Sequence, residues 1–187
     1  METPPSWRPG DSWVYQWKSG EQTGIRIVHM QAIRNLNQMR FYVVSADGAD
    51  QYWTSDLHWA GTVRDSKVEV RMTPPEPWFV WPLEVGRRWT HRGQYEDQSG
   101  KRDVEDAFAV VGIETITVPA GQFRALKVVR ESHGLYSDQY WYVPEVRSYA
   151  KWIGRRGEIE FEWQLESYRP APRLIPDAPG ASTSPPR

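Results

Sequence analysis

A strict alternation of apolar and polar side chains in residues 158–168 constrains the fold more than any other feature. Every second residue from Ile159 to Leu165 is apolar, and glutamate or glutamine stands at each position between. Successive side chains of a β-strand point to opposite faces, so this period of two predicts a strand with one buried and one solvated face. An apolar period of 3.6 residues, the mark of an amphipathic helix, is sustained nowhere over three turns. The chain is therefore predicted to be all-β.

Further β-prone runs recur along the whole chain, separated by turn signals such as the Asp-Gly pair at residues 47–48. About twelve strands are predicted, over residues 10–17, 24–33, 39–46, 51–55, 57–63, 67–72, 89–96, 102–117, 122–132, 137–143, 146–153 and 158–168. An antiparallel sheet of that many strands rarely stays open and flat. It is expected to curl into a barrel or to fold into a sandwich.

The same pattern predicts a single β domain over residues 10–168, preceded by a flexible lead-in over 1–9. A proline-rich crossover at 73–85 divides this domain into two halves. Residues 169–187 contain six prolines and few large apolar groups. Such a segment buries too little apolar surface to offset its ordering entropy, so a disordered proline-rich tail is expected.

Three sequence marks of the first half return in the same order in the second half. Gly-x-x-Trp occurs at 10–13 and again at 86–89, and Asp-Gln-Tyr-Trp occurs at 50–53 and again at 138–141. A Val-Val pair precedes each copy of the tetrapeptide. These marks indicate an internal repeat.

The repeat predicts two duplicated six-strand meanders, residues 10–72 and 86–168. The two tetrapeptides would then lie on equivalent strands and face the same way. Trp53 and Trp141, the larger apolar groups, are expected on the inward face, with the preceding tyrosines on the other. Superposition of the two halves tests this expectation.

The arrangement "VPAGxFxAxxV … YWYxPxV", from Val118 to Val128 and from Tyr140 to Val146, resembles bacterial exported β-proteins of the domain-of-unknown-function kind. Many proteins of that kind are lipoproteins. The resemblance implies an antiparallel β-sheet fold and a place in the periplasm or outer cell envelope. It carries no catalytic residue over to this chain. The segment Met1–Ser6 fits a chain that begins just after a removed targeting signal.

Composition excludes several classes of function. Twenty-three basic against twenty-four acidic residues give a net charge of −1, without the basic excess of a nucleic-acid-binding protein. Cysteine is absent, so neither disulfides nor thiolate metal sites are available. No apolar run approaches the roughly 20 residues of a transmembrane helix. Eleven tryptophans and nine tyrosines indicate a large aromatic core or an aromatic-lined cavity.

Motifs for catalysis and metal binding are missing. No nucleophile elbow, Walker loop or dinucleotide-binding fingerprint is present. The four histidines have no metal-ligand spacing, so no metal and no cofactor are expected; they are His29, His58, His91 and His133. Asp50 and Asp138 are the one pair of carboxylates that the repeat places at equivalent positions. Two carboxylates that flank a bond could catalyse glycoside hydrolysis. The favoured interpretation is that each aspartate closes a hairpin before an aromatic strand.

The aromatic run at residues 78–81 is the best candidate for a contact surface. Trp78, Phe79 and Trp81 lie between two prolines in the predicted crossover. An exposed loop of this kind could enter lipid or grip a sugar or a partner chain. Alternatively, the run is buried and plugs one end of the β-structure.

The sequence favours a non-enzymatic protein of the cell envelope that serves as a structural or assembly module. The first alternative is a binding protein for an apolar ligand, such as a lipid or an acyl chain, in a tryptophan-rich interior. The second is an enzyme acting on glycosides through Asp50 and Asp138. Expected partners are other envelope proteins or a lipid, not nucleic acid. A continuous cavity larger than about 300 Å³ would favour ligand binding.

Overall fold

The computed structural model describes residues 2–132 and 136–172. They form a closed antiparallel barrel in which each strand pairs with its neighbours in the chain and the last strand pairs with the first. The strands are β1 (Ser12–Ser19), β2 (Gln22–Leu36), β3 (Met39–Ala46), β4 (Ala49–Thr54), β5 (His58–Arg64), β6 (Lys67–Pro77), β7 (Arg88–Asp97), β8 (Gly100–Val118), β9 (Gly121–Ser132), β10 (Tyr136–Val143), β11 (Ser148–Arg156) and β12 (Ile159–Arg169). The predicted all-β fold of about twelve strands is confirmed, and its form is a barrel.

The alternating stretch of the sequence forms β12 and closes the barrel against β1. Leu165 of β12 is fully buried and pairs with Tyr15 of β1, which is 1% exposed. Two residues earlier in β12, Trp163 pairs with Trp17 on the same inward face. From Phe161 to Leu165 the apolar half of the alternation thus faces the interior, as predicted, and the glutamates face outward, whereas Ile159 at the open end is 62% exposed.

The connection expected at residues 73–85 is shorter in the structure, because β6 continues to Pro77. Prolines are tolerated in a strand where ladder hydrogen bonds are missing. The pairing of β6 with β7 ends at Thr73, and its pairing with β5 skips from Arg71 to Glu76. Pro74 and Pro75 lie in this interruption, so they cost no paired hydrogen bond.

One end of the barrel, called the capped end below, is covered by the N-terminal segment and by the β6–β7 connection. Glu2 and Leu83 exchange two backbone hydrogen bonds of 3.1 and 2.9 Å. Trp7, Phe79 and Leu83 are all buried there. The indole of Trp7 donates a 2.8 Å hydrogen bond to the carbonyl of Arg147 in the β10–β11 connection. This end is therefore filled by side chains from outside the strands.

The opposite end, called the open end below, carries tight hairpins. Its five described turns are two residues long, at 20–21, 47–48, 65–66, 98–99 and 157–158. The predicted Asp-Gly turn is confirmed, since Asp47 and Gly48 have φ angles of 52° and 74°. Short turns place little chain over the barrel mouth.

The chain ends behave only partly as the sequence led us to expect. Within the lead-in, Trp7 is 7% exposed and well packed, while the flexibility of residues 1–9 stays a prediction. Residues 173–187 of the expected tail lie outside the described residues. Just before them, the backbone N–H of Ala171 donates a 2.7 Å hydrogen bond to Asp11 Oδ1. Within the described part of the chain, no helix has the length and apolarity to cross a membrane.

The two Asp-Gln-Tyr-Trp copies lie on equivalent strands, β4 and β10, but face opposite ways. Trp53 packs inside the barrel against Trp7 and Trp78. Trp141 lies on the outer face, where Lys127 and Lys151 cover its ring. The expectation that both tryptophans point inward is therefore wrong.

Because strand side chains alternate with period two, the reversal applies to all four residues of the tetrapeptide. The partner strands each carry one extra residue, Ala60 opposite Tyr52 and Trp53 and Ala150 opposite Trp141 and Tyr142, and neither bulge precedes the aspartate. Whether the two halves arose by duplication stays a prediction.

Candidate functional site

The barrel encloses a cavity of about 1020 Å³ that runs from the capped end to the open end. Most of its wall is aromatic. Eight of the eleven tryptophans line it: Trp7, Trp13, Trp17, Trp53, Trp59, Trp78, Trp152 and Trp163. A space of this size and character matches the pockets that hold small apolar ligands.

Trp78 forms the floor of the cavity. Its ring centroid lies 4.9 Å from that of Trp53, 4.8 Å from that of Tyr140 and 5.5 Å from that of Trp152. The indole N–H donates a 3.0 Å hydrogen bond to Glu76 Oε2, which fixes the ring plane. Of the aromatic run, Phe79 is buried, whereas Trp78 is half-buried and lines the cavity.

Charged side chains form a belt across the inner wall of the second half of the barrel. Six consecutive strands, β6 to β11, contribute one residue each to this buried charged belt: Glu76, His91, Asp106, Arg130, Asp138 and Arg156. The strand registers bring them together, since His91 pairs with Asp106 and Arg130 pairs with Asp138. Aromatic residues of the cavity wall lie on both sides of the belt, on β1, β4 and β5 and again on β11 and β12.

Arg130 is the centre of the belt and contacts three carboxylates. Its Nη2 lies 2.6 Å from Glu76 Oε1 and 3.2 Å from Asp106 Oδ1. Its Nη1 lies 3.2 Å from Asp138 Oδ2. The side chain of Arg130 is only 12% exposed, so its charge depends on these partners. Removing one partner of a buried ion pair typically costs about 3–5 kcal/mol.

Asp138 accepts four N–H donors from three side chains, those of Arg130, Trp152 and Arg156. Arg156 contacts both oxygens, at 3.0 and 3.2 Å, and the indole of Trp152 donates a 2.9 Å hydrogen bond to Oδ1. Gly154 lies opposite Asp138 on β11. A Cβ there would come within 2.7 Å of Asp138 Oδ1 and closer still to the Phe161 ring. The absence of a side chain at 154 thus makes room for this arrangement.

Three members of the belt come close enough together to hold a metal ion. One ligand atom each of Glu76, His91 and Asp106 lies within 4.8 Å of the other two, and all three residues are buried. Burial raises the pKa of Glu76, against the opposing effect of Arg130. Burial also raises the pKa of Asp106, but His91 and Arg130 outweigh it and hold that pKa at about 2. Burial lowers the pKa of His91, and its contacts with Asp106 and the Pro74 carbonyl raise it by more.

Nearer the open end, three arginines lie over aromatic rings of the cavity wall. The guanidinium carbon of Arg102 is 3.9 Å from the Tyr95 ring centroid, and that of Arg26 is 4.7 Å from the Trp163 ring centroid. Arg156 lies 4.9 Å from the centroid of the Tyr136 ring. We call Arg26, Arg102 and Arg156 the arginine collar.

Each collar arginine also has an acidic partner. Arg26 Nε pairs with Asp47 at 2.8 Å, and Arg102 Nη1 pairs with Asp97 at 3.1 Å. A guanidinium has five N–H donors, and these two contacts each use one of them. The collar therefore keeps donors available for a further oxygen-rich group.

The other residues singled out by sequence are dispersed. Asp50 lies on the outer face of β4, since its neighbours Gln51 and Trp53 alternate with it and line the cavity. Asp138 is inside the barrel, so the two aspartates do not share a cleft. The indole of Trp81 donates a 2.9 Å hydrogen bond to the Asp56 carbonyl at the capped end. Of the sequence candidates, the structure brings Asp138 and Trp78 to the interior site, with buried Phe79 beside them at the floor.

Glu76, Asp106 and Arg130 were not singled out by sequence, and His91 was named only as one of four histidines without metal-ligand spacing. They lie on different strands at separations that no motif encodes. The available signal was a charged residue on an otherwise apolar strand face. Asp106 shares its face with Phe108 and Val110, both buried.

Comparison with known proteins gives distant structural likeness alone. No family model matches the sequence, and neither does any curated protein. Three solved structures share 12% sequence identity with the chain. A candidate lipoprotein from Parabacteroides distasonis has a TM-score of 0.49 over 87% of this chain and 96% of its own. A candidate exported protein with a YmcC-like fold from Bacteroides fragilis has 0.49 over 87% and 97%. The hypothetical lipoprotein YmcC from Escherichia coli has 0.43 over 88% and 86%.

Proposed function

We propose that the barrel binds one amphiphilic molecule, with an apolar chain in the tryptophan-lined interior and an anionic group at the arginine collar. The observation that supports this proposal most strongly is the cavity of about 1020 Å³. It is well above the roughly 300 Å³ at which a pocket accommodates a small ligand. Such a cavity favours ligand binding over a purely structural role.

The polarity of the ligand follows from the charges of the wall. Four arginines line the cavity, and two acidic residues, Asp47 and Glu76, line it with them. Among the described residues that line the cavity, arginines thus outnumber carboxylates by four to two, while Asp97, Asp106 and Asp138 pair with three of these arginines from outside the lining. Arginine forks suit carboxylate and phosphate groups, which they bind bidentately. A fatty acid or another acyl chain with an acidic head has both required properties.

Orientation of the ligand follows from the two ends of the barrel. The capped end is filled by Trp7, Phe79 and Leu83, all buried. Arg26 and Arg102 lie toward the open end, beside the turns at 47–48 and 98–99. The apolar chain would enter first and contact Trp78 at the floor, and the head group would stop at the collar.

Glycoside hydrolysis has no support from this arrangement. Inverting and retaining glycosidases place two carboxylates across one cleft, within about 10 Å. Asp50 and Asp138 instead lie on opposite faces of the barrel wall. The envelope location and an assembly role stay predictions that rest on the sequence resemblance.

The test is a fluorescence titration, because eight tryptophans line the cavity. A saturated fatty acid should change the emission at one equivalent. It should bind about tenfold more tightly than the alcohol of the same chain length, the worth of one charge-assisted hydrogen bond. An alkylammonium ion of the same length should bind worst. Equal affinity for acid and ammonium would refute the proposed role of the collar.

Two variants separate the cavity from the collar. Val28→Trp puts a large side chain into the cavity wall and should abolish binding of acid and alcohol alike. Arg102→Gln should weaken the acid about tenfold and leave the alcohol unchanged. Arg92→Gln is the matched control, since that side chain is 79% exposed and pairs with Glu105 outside the barrel. Native mass spectrometry of gently purified protein would identify a retained ligand.

A further inference from the structure

We propose that Glu76, His91 and Asp106 form a binding site for one divalent transition-metal ion. The site lies in the buried charged belt, and the proposal does not rest on the proposed amphiphile binding, although Glu76 also lines the cavity. Sequence spacing led us to expect no metal, because the three residues lie on three strands and are 15 residues apart at each step (76, 91, 106). The barrel register nevertheless brings their ligand atoms within 4.8 Å of one another.

The tautomer of His91 leaves one of its ring nitrogens available as a metal ligand. Its Nε2 lies 3.1 Å from the carbonyl oxygen of Pro74, an acceptor, so Nε2 carries the proton. In the neutral ring, Nδ1 then offers a lone pair toward the carboxylate of Asp106. An N–H donated to a backbone carbonyl is also the usual outer contact of a metal-bound histidine.

Two of the candidate ligand atoms are buried without a hydrogen-bond partner among the described residues. They are His91 Nδ1 and Asp106 Oδ2, and their side chains are 4% and 0% exposed. Glu76 Oε1 lies 2.6 Å from Arg130 but without hydrogen-bond geometry. Two buried electron-pair donors that face each other are stabilised by a cation between them, either a metal ion or a proton on Nδ1.

The distance between those two atoms fits a shared ion. His91 Nδ1 and Asp106 Oδ2 are 3.6 Å apart, beyond the 2.7–3.2 Å range of an N–H···O hydrogen bond. Two ligands at about 2.1 Å from a tetrahedral ion lie roughly 3.4 Å apart. The observed 3.6 Å separation of this pair fits two ligands of one metal.

Charge and ligand chemistry narrow the choice of ion. Glu76 and Asp106 carry two negative charges and Arg130 one positive charge, so one negative charge remains beside the neutral imidazole. Arg130 contacts the other oxygen of Asp106, Oδ1, and leaves Oδ2 for the ion. One imidazole with two carboxylates suits zinc, manganese or iron better than magnesium or calcium. Three protein ligands leave a position for water.

The test uses the native protein stripped with a chelator and titrated with Co²⁺ and then Zn²⁺. We expect one equivalent of Co²⁺ to give the visible absorption of a low-symmetry Co²⁺ site, and Zn²⁺ to displace it. His91→Gln should weaken Co²⁺ binding by at least about 100-fold. His29→Gln, at an exposed histidine of β2, should change nothing. Loss of binding in H29Q, or none in H91Q, would mean adventitious surface binding and would overturn the proposal.

A second measurement decides even if H91Q fails to fold. Long-range ¹⁵N NMR of the stripped native protein reports which nitrogens of His91 carry protons. We expect Nε2 protonated and Nδ1 free at pH 8, with the Nδ1 resonance shifting on addition of Zn²⁺. The competing occupant of the gap is a proton. An imidazolium with both nitrogens protonated, and unaffected by Zn²⁺, would overturn the metal site.

Discussion

Two identical tetrapeptides, Asp50–Trp53 in β4 and Asp138–Trp141 in β10, point their side chains to opposite faces of the barrel wall. In the first, the tryptophan lines the cavity and the aspartate faces outward. In the second, the aspartate is 1% exposed inside the buried charged belt and the tryptophan lies on the outer face. Sequence identity over four residues thus determines that both copies form a strand, but not which side chains of that strand point into the barrel. The facing depends on the register of the neighbouring strands.

The neighbours of each copy show why the reversal is stable. Tyr140 faces inward and its cross-strand partner is Trp152, another ring of the cavity wall. Trp141 pairs with Lys127 and Lys151, whose long side chains cover the ring while their charges stay in water. Its indole donates a 2.7 Å hydrogen bond to Glu114. An outward tryptophan is therefore satisfied by charged partners, and an inward one by aromatic partners.

The largest expected effect separates the two aspartates. Asp138→Ala leaves Arg130 and Arg156 without their shared carboxylate and should lower the free energy of unfolding by about 3–5 kcal/mol. Asp50→Ala should change it by no more than about 0.5 kcal/mol, as is usual for surface positions. Urea unfolding of both variants measures the difference. Similar losses would show that the facing of the two copies is assigned wrongly.

The two tryptophans should differ in the kind of energy that they contribute. Trp53→Ala empties an aromatic contact with Trp7 and Trp78 and should cost about 3–5 kcal/mol, independently of salt. Trp141→Ala removes a ring that is only 5% exposed, together with a hydrogen bond to a carboxylate and two cation–π contacts, and should also cost about 3–5 kcal/mol, of which part is electrostatic.

The cost of Trp141→Ala should shrink in 1 M salt, where the screening length is about 3 Å. Thermal or urea unfolding at two salt concentrations makes this comparison. A salt-dependent loss in Trp53→Ala would contradict the inward assignment.

The smallest expected effect is the contribution of Glu114 ionisation to stability, which depends on pH. The hydrogen bond from Trp141 and the Lys127 contact hold the pKa of Glu114 below its ordinary value. A lowered pKa in the folded state stabilises the fold above the ordinary pKa, and the contribution disappears as the pH falls through the lowered one. This contribution should stay below about 1 kcal/mol, because the Glu114 side chain is 45% exposed and screened by solvent.

The Trp141 indole N–H resonance should report this protonation, moving only below the usual pH range of a glutamate. The Trp53 indole is the internal control. Its acceptor, Gln51 Oε1 at 3.3 Å, does not titrate. Glu114→Gln should abolish the pH dependence at Trp141. Movement of both resonances together would point to acid unfolding instead.

Local signals in the sequence were sufficient for the strands but not for the site. The alternation in β12 predicted its buried face, and Asp47-Gly48 predicted its hairpin, because period and turn chemistry are short-range properties. The buried charged belt depends on the register of six strands. Glu76 and Arg156 are 80 residues apart in the chain (156 minus 76), and nothing local relates them. Tryptophan content indicated a cavity or a core, and closure of the barrel decided between them.

Meander connectivity also determines how this barrel can assemble. Every strand pairing is between chain neighbours except that of β1 with β12. Closing a loop of about 150 residues costs roughly 4 kcal/mol in chain entropy beyond a constant term. Hydrogen bonds at sequence separations of 133 and 140 residues offset this cost, from the indoles of Trp13 and Trp7 to the Val146 and Arg147 carbonyls. The eleven pairings between chain neighbours can form early, because their contacts are local in sequence. The pairing of β1 with β12 and the two indole hydrogen bonds join distant residues, so they are expected to form late and together.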